Sequence, residues 1–535
     1  MFKSQNFALP SAVPANSLVT PHASAATTPL SLGRSSTPEP IEDGQDPDAD
    51  PNLADYTNHG RFAGEVAGAI DVRAGIPPTT KSHLVPFVNA PLFEPLDLDP
   101  PSLVSESAAK QLPSRVDAER LVDIYFQHVD PIEPVLDHTR FLRVVEEAYS
   151  GSGARPGAEH DTGLSIMNLV FALSVQRQEL ISQIKRQEDG NIYFKRAWVL
   201  LRLDTVLWEP AGSIELIQCL ILMNRYLHCT SHQHKAWMAS GLAIRVAQSI
   251  SCHLPAPSDT ESASDRRLKR QLLASCVGLD RCIAWSQGKT MAQFLTPLPN
   301  RINPAGASPH DGYCAAHLRR EFELHEIGNH IQLAQSQIRN RVAGNLGLPI
   351  LYKLNEYHVV AVQLDASLNK WADALPTDWK VQNLEAVADR KSRVERYLLH
   401  LRLLHTRIFL HQHLLARFYS MKSHAVATPT TRTPSSNLSD RLLRDCSGLC
   451  VESAQALVTL IVETLEPGEP LGLLPWWYRV YYLHIAGITF LAAMLTQELY
   501  TESVAQAWGS FKLATGTAPP LRLDKKQPLN YINRI

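Results

Sequence analysis

Cysteine is absent from the first 218 residues of this 535-residue chain. All eight cysteines follow (Cys219, Cys229, Cys252, Cys276, Cys282, Cys314, Cys446 and Cys450), mostly inside apolar periodic segments. That placement excludes a disulfide scaffold and fits reduced, buried thiols of an intracellular protein. Basic residues are also scarce at the start. Only Lys3 and Arg34 occur in the first 60 positions, so no mitochondrial presequence is expected, and Pro10 and Pro14 interrupt any apolar core of a secretory signal. The net charge of −2 predicts neither a nucleic-acid glove nor an acidic solubiliser. There is no alternating run of β-branched residues and no Asn-Gly turn, which removes sheet folds. There is no fixed repeat period, which disfavours tetratricopeptide and HEAT arrays. The phosphate loop GxxxxGK(S/T), a GxGxxG after a strand, the HExxH zinc helix and the GxSxG elbow are all missing. So is the DDxxD run that would hold magnesium against a diphosphate on an all-α fold. With those chemistries gone, an enzyme is not expected, and no catalytic or cofactor-binding residue is assigned.

What is present divides into an arm and a helical body. Residues 1–113 read as a disordered arm rich in Pro, Ser and Thr. The first 110 carry six basic and thirteen acidic groups, a charge of −7, so the remainder carries +5. Residues 85–103 alternate acidic and large apolar groups, the pattern of a docking peptide, although a loosely packed linker explains it as simply. From Ser114 the pattern turns helical. Leu121, Val122, Tyr125, Phe126 and Val129 form one stripe, ended by Pro131. Thr139 is the expected cap of a second helix with Phe141, Leu142, Val145 and Tyr149 on its apolar face. Residues 151–163 read as a loop, and 164–175 as a central helix apolar on most sides. Further helices are expected over 191–207, 213–230 (capped by Ser213), 236–250, 266–287, 317–342, 350–374, 394–418, 440–465 and 475–499. Residues 426–439 read as a flexible linker and 501–535 as a polar tail. The uncharged run 480–497 has the length of a short membrane span, about 18 residues. His484, Thr489 and the adjacent Arg479 make it a buried helix instead, so no membrane is expected. The expected fold is a large all-α bundle or array behind an acidic arm, with a core at 114–310 and a C-terminal half at 311–500.

Few residues suggest chemistry. His228, Cys229, His232 and His234 are acceptable zinc ligands by type, but their spacing matches no known ligand pair and they read as a polar turn. No metal is expected. Cys446 and Cys450 read as core thiols, and His411 and His413 fall on different faces of one helix. The run Arg266, Arg267, Lys269 and Arg270 offers a contact for phosphate or an import receptor. A solvated first helical turn accounts for it more simply. Asp280 and Arg281 sit beside a buried stripe (Leu268, Leu272, Cys276, Leu279 and Ile283), where paired charges are tolerated and lone ones are costly.

In order along the chain, several segments resemble the fungal-specific transcription factor domain, the middle region of zinc-cluster transcription regulators. These are LVDIYFQHVDPIEPVLDHTRFL (121–142), AWMASGLAIRVAQSISCHLP (236–255), the basic run with Asp280-Arg281 and Pro297-Leu298-Pro299, and the segments at 375–379 and 474–493. The resemblance covers about residues 115–500. It implies a nuclear transcription regulator with pathway-specific control of a biosynthetic (secondary-metabolite) or catabolic gene cluster. It also implies a structural tie at Asp280-Arg281, and contacts with the transcription machinery, a DNA-binding partner protein, a small-molecule effector or a second copy in a homo- or heterodimer. Three departures stand out. Ser251 replaces a usual glycine, Leu272-Leu273 replace a frequent tryptophan pair, and the six-cysteine zinc cluster is not in this sequence. The arm is acidic and would repel phosphate, so direct DNA binding does not carry over. Either the gene model lacks an upstream cluster or a partner reads the DNA. A non-DNA-binding helical scaffold or small-molecule sensor reusing the fold is the alternative. An all-α enzyme, with metal at the His228–His234 turn, comes third.

Overall fold

The computed structural model describes residues 105–150, 158–178, 181–201, 212–230, 232–254, 262–287, 309–339, 357–384, 389–427, 438–465, 472–496 and 501–514, with isolated positions at 62, 66, 69, 70, 98, 387, 498 and 499. These residues form fourteen α-helices and no strand, so the all-α expectation holds among them. The helices are α1 (Glu106–Ala109), α2 (Arg115–His128), α3 (His138–Ser150), α4 (Ala158–Arg177), α5 (Gln183–Leu201), α6 (Ile214–His228) and α7 (Gln233–Ser249). They continue with α8 (Ala263–Gln287), α9 (Pro309–Arg339), α10 (Tyr357–Asp373), α11 (Arg390–Ala427), α12 (Leu438–Glu463), α13 (Trp476–Met494) and α14 (Glu502–Ala514).

Local chemistry explains most boundaries. Ser114 accepts from the Asp117 N–H to start α2, and Ser213 accepts from the Leu216 N–H to start α6. After α2 the chain makes a single 3-10 turn, Asp130–Ile132, around Pro131. The cap of α3 is Asp137 and not Thr139: its Oδ1 accepts from the Arg140 N–H at 2.9 Å, two residues earlier than expected. On that helix Phe141 and Val145 are buried, whereas Leu142 is 43% exposed and does not belong to the apolar face. The loop expected at 151–163 is shorter, because α4 already begins at Ala158. Similarly, α5 begins eight residues before the expected 191, α9 opens with Pro309, whose missing N–H is no loss in a first turn, and α11 runs 38 residues, about 57 Å. Residues 428–437, most of the expected linker, and 85–103 apart from Leu98 lie outside the described residues.

Two apolar clusters organise the body. The first gathers α2 to α8 around Tyr125, Met167, Phe171, Phe194 and Tyr226. The second gathers α9 to α14 around Ile331, Leu401, Phe409, Ile461 and Phe490. They interlock. Trp477 of α13 and Phe322 of α9 sit in the first cluster, while Ile132 of the 3-10 turn and Trp285 of α8 sit in the second. Four positions within the acidic arm are helical: Phe62 and Val66 are 3% and 1% exposed and packed in the second cluster, with Ala69 and Ile70 against it. The segment after 501 is not a plain polar tail, because α14 buries Val504 and Phe511. Phe511 lies against Gly487 of α13, where a Cβ would approach its ring to 3.0 Å. Among the described residues one helix, α12, is long and apolar enough to cross a membrane. Its apolar side, including Cys446, Cys450 and Leu457, is buried in the second cluster. The apolar run at 480–497 forms most of α13, a buried helix.

Candidate functional site

The turn between α2 and α3 is where the two clusters are joined. Its residues Asp130 to Leu136 take hydrogen bonds from three distant helices. Gln218 of α6 donates to the Val135 carbonyl at 2.9 Å, Arg225 of α6 donates to the Glu133 carbonyl at 2.8 Å, and Gln271 of α8 donates to the Pro134 carbonyl at 2.6 Å. The Glu133 carboxylate then pairs with Arg225 at 3.1 Å and with Arg402 of α11 at 2.5 Å. Arg402 also holds Glu321 of α9 at 2.5 Å, and Glu321 faces His325 at 3.6 Å. Burial pushes the Glu321 carboxyl up, but Arg402 and His325 outweigh it and hold the group well below the carboxylate range. For Asp130, on the same turn, burial wins: its carboxyl rises to about 6, against the pull of Lys391 and the N–H of Val135.

Beside this ion cluster lies a cavity of about 130 Å³. It opens where the clusters meet and takes walls from both: Val129, Leu173 and Trp477 from the first, and Ile132, Trp285, Leu324 and Tyr482 from the second. Arg225, His228, His325, Arg402, His405, Tyr478, Val480 and Tyr481 also line it. Burial brings His228 down to about 4, so its ring is neutral, and drives the Cys282 thiol up to about 12. His325 is likewise held below its ordinary value by burial, against the pull of Glu321.

The residues singled out from sequence are dispersed. His228, half-buried, and Cys229, buried, line the cavity wall, His232 precedes α7, and His234 is exposed beside Trp237. Among the described residues no three His, Cys, Asp or Glu side chains converge as a metal site. Cys446 and Cys450 are core thiols on α12. His411 points to Asp365 of α10 at 3.4 Å. Arg267 is exposed, and the neighbouring Asp265, capped by Ser262, pairs with Arg140 of α3. Asp280 and Arg281 are 3% and 4% exposed and tie α8 to both neighbours: Ser240 of α7 donates to Asp280 at 3.3 Å, and Arg281 pairs with Glu326 of α9. Ser251 occupies a left-handed position (φ 59°) at the end of α7, where the Cys252 N–H reaches back to the Ala247 carbonyl at 2.9 Å. The family's usual glycine suits that conformation without strain. Sequence reasoning missed Glu133, Arg402, Glu321 and the cavity, since no local pattern links residues on separate helices.

Comparison with known proteins agrees with this architecture. Residues 122–310 match the family described as fungal specific transcription factor domain. The chain is 52% identical over 505 residues to "Sorbicillinoid biosynthetic cluster transcription factor 2" of Penicillium rubens, covering 94% of the chain and 72% of that relative. It is 49% identical over 492 residues to "Sorbicillinoid biosynthetic cluster transcription factor sor3" of Hypocrea jecorina, covering 92% and 69%. A more distant relative, "Transcription factor FBD3" of Fusarium pseudograminearum, is 24% identical over 411 residues, covering 73% and 52%.

Proposed function

The chain belongs to the family of fungal transcription factors that carry the fungal-specific transcription factor domain, and from that premise we propose that it controls a sorbicillinoid biosynthetic gene cluster. It is a pathway-specific transcription regulator of the secondary-metabolite type. The observation that carries the pathway is the 52% identity to a relative named for that cluster, extending over nearly the whole chain. In this reading the protein works in the nucleus and catalyses no reaction. It contacts the transcription machinery and, as a homo- or heterodimer, a protein that reads DNA. Residues 114–310 act as the regulatory core and 311–500 as its C-terminal half. The interlocked clusters support treating both as one responsive body, because a change at the 130–136 turn reaches helices on either side.

Chromatin occupancy of the tagged protein, with transcript profiling of a deletion strain, tests the proposal. Occupancy at sorbicillinoid cluster promoters and loss of those transcripts is the expected result. Occupancy at a different cluster would refute the pathway and keep the class. No occupancy and no transcript change would refute both.

A further inference from the structure

We propose that the second cluster carries a helix-binding groove which this chain fills with its own residues 62–70, and that this strap leaves and re-enters its seat while the rest of the body stays folded. The groove is thereby an interaction surface for an amphipathic helix with apolar anchors four and eight residues apart. Phe62, Val66, Ala69 and Ile70 are all helical, and their spacing places them on one face. Phe62 and Val66 are 3% and 1% exposed within the second cluster, with Ala69 and Ile70 packed against it. Apolar groups at i, i+4 and i+8 laid onto a hydrophobic surface are how an amphipathic helix docks in a groove. The groove is built far along the chain. Apart from Phe62, Val66 and Ile132, every buried member of the cluster lies at or beyond Trp285.

The neighbours of the strap in sequence go elsewhere. The next described position, Leu98, is buried in the first cluster, as are Ala109 and the inner face of α2 (Ala118, Leu121, Val122 and Tyr125). No helix of the second cluster continues from the strap, so it lifts off without pulling another helix away. The segment also has little helical support of its own. The run RFAGEVAGAI, residues 61–70, carries Gly64 and Gly68, and glycine weakens a helix interior more than any residue except proline. Isolated helices shorter than about 12 residues are marginal in water, so docking is what makes these positions helical. Leaving the seat and losing the helix are then one event, of the local kind that precedes global unfolding. The closed form dominates, because release returns two buried anchors to water and leaves an open apolar groove. A tethered segment competes at an effective concentration on the order of millimolar, so a partner helix displaces the strap only by binding tightly or by being abundant.

The test uses the purified full chain and a fluorescent synthetic peptide of residues 58–74. Val66→Asp in the full chain puts a charge at the most buried anchor and frees the seat. Anisotropy should show saturable one-to-one binding of the peptide to the Val66→Asp chain. Binding to wild type, whose own strap holds the seat, should be at least tenfold weaker, and a peptide that itself carries Val66→Asp should not bind. Hydrogen exchange on wild type needs no variant. Amides of 62–70 should exchange at least a hundredfold faster than those of α13, and at least tenfold slower than a free chain. The proposal is overturned by no binding to a Val66→Asp chain that keeps its helical circular dichroism, by equal binding to both chains, or by strap amides that exchange in step with α13 or without protection. A wild-type dimer that Val66→Asp dissociates in sedimentation would put the strap on a second copy and also overturn it. If Val66→Asp does not fold, the exchange measurement still decides. Promoter occupancy is a separate readout, so either proposal can fail while the other stands.

Discussion

The two apolar clusters bury polar groups differently. In the first, neutral side chains donate to main-chain carbonyls of neighbouring helices. Ser165 reaches Ala197 at 2.9 Å, Ser174 reaches Leu121 at 2.7 Å and Asn224 reaches Ala236 at 2.6 Å. In the second, and along the seam between them, charged side chains are paired: the buried Arg402 with the half-buried Glu133 and Glu321, the half-buried Arg407 with Asp365, and the buried Arg396 with an exposed Asp378. A neutral hydrogen bond is cheap to bury, whereas a charge is tolerated only while its partner remains. The first cluster is therefore riveted, and the seam is conditional on its charges. The cavity lies on the conditional side, where a small change in contacts has the most leverage.

The difference predicts a graded set of outcomes. Arg402→Met leaves the half-buried Glu321 without its arginine and Glu133 with Arg225 alone, and should destabilise by about 3 kcal/mol in urea unfolding. A loss under 1 kcal/mol would mean the seam is not held by charge. Phe62→Ala should cost about 3 kcal/mol, since Phe62 is packed in the second cluster; an unchanged midpoint would return that segment to the arm. Asp130→Asn should act in the opposite direction. The folded carboxyl titrates near 6, above its unfolded value, so its contribution to stability is full below about pH 4 and is lost as pH rises through 6. The variant should therefore match wild type near pH 4 and exceed it by on the order of 2–3 kcal/mol at pH 7.5. Matched denaturation curves at both values check this, and a constant difference would exclude the titration. Ser251→Gly should stabilise by about 0.5–1 kcal/mol by relieving the left-handed serine, and a loss of stability would contradict the strain. At the weak end, Arg444 pairs with Glu498 at 3.1 Å on the surface, and Arg444→Gln should shift stability by less than about 0.5 kcal/mol. A larger shift would erase the contrast with Arg402.

Much of the helical body is legible in the sequence. Ser114, Pro131 and Ser213 announce the boundaries they make, because caps and prolines act on their own turn. The Asp280-Arg281 tie follows from two charges beside a buried stripe, although their partners Ser240 and Glu326 do not. Thr139 misleads because Asp137, two residues earlier, caps as well or better. Leu142 misleads because its neighbours Phe141 and Val145 already define the buried edge. Phe62, Val66, Ala69 and Ile70 carry helical spacing that a composition-led reading of the arm overlooks.

The candidate site is hardly legible at all. Glu133 and Arg402 are 269 residues apart, and the ring of Trp285 meets that of His325 only because α8 and α9 pack together. Caps, apolar stripes, the family-like segments and the absence of catalytic motifs were determined by the sequence itself, since each depends on residues within a few turns of one another. The tertiary structure alone decided which buried charges are paired, which donors are left without a partner, and where about 130 Å³ stays unfilled. Those outcomes depend on how side chains from six helices and one turn fill a shared volume, and close packing leaves no local signature of the space it fails to fill.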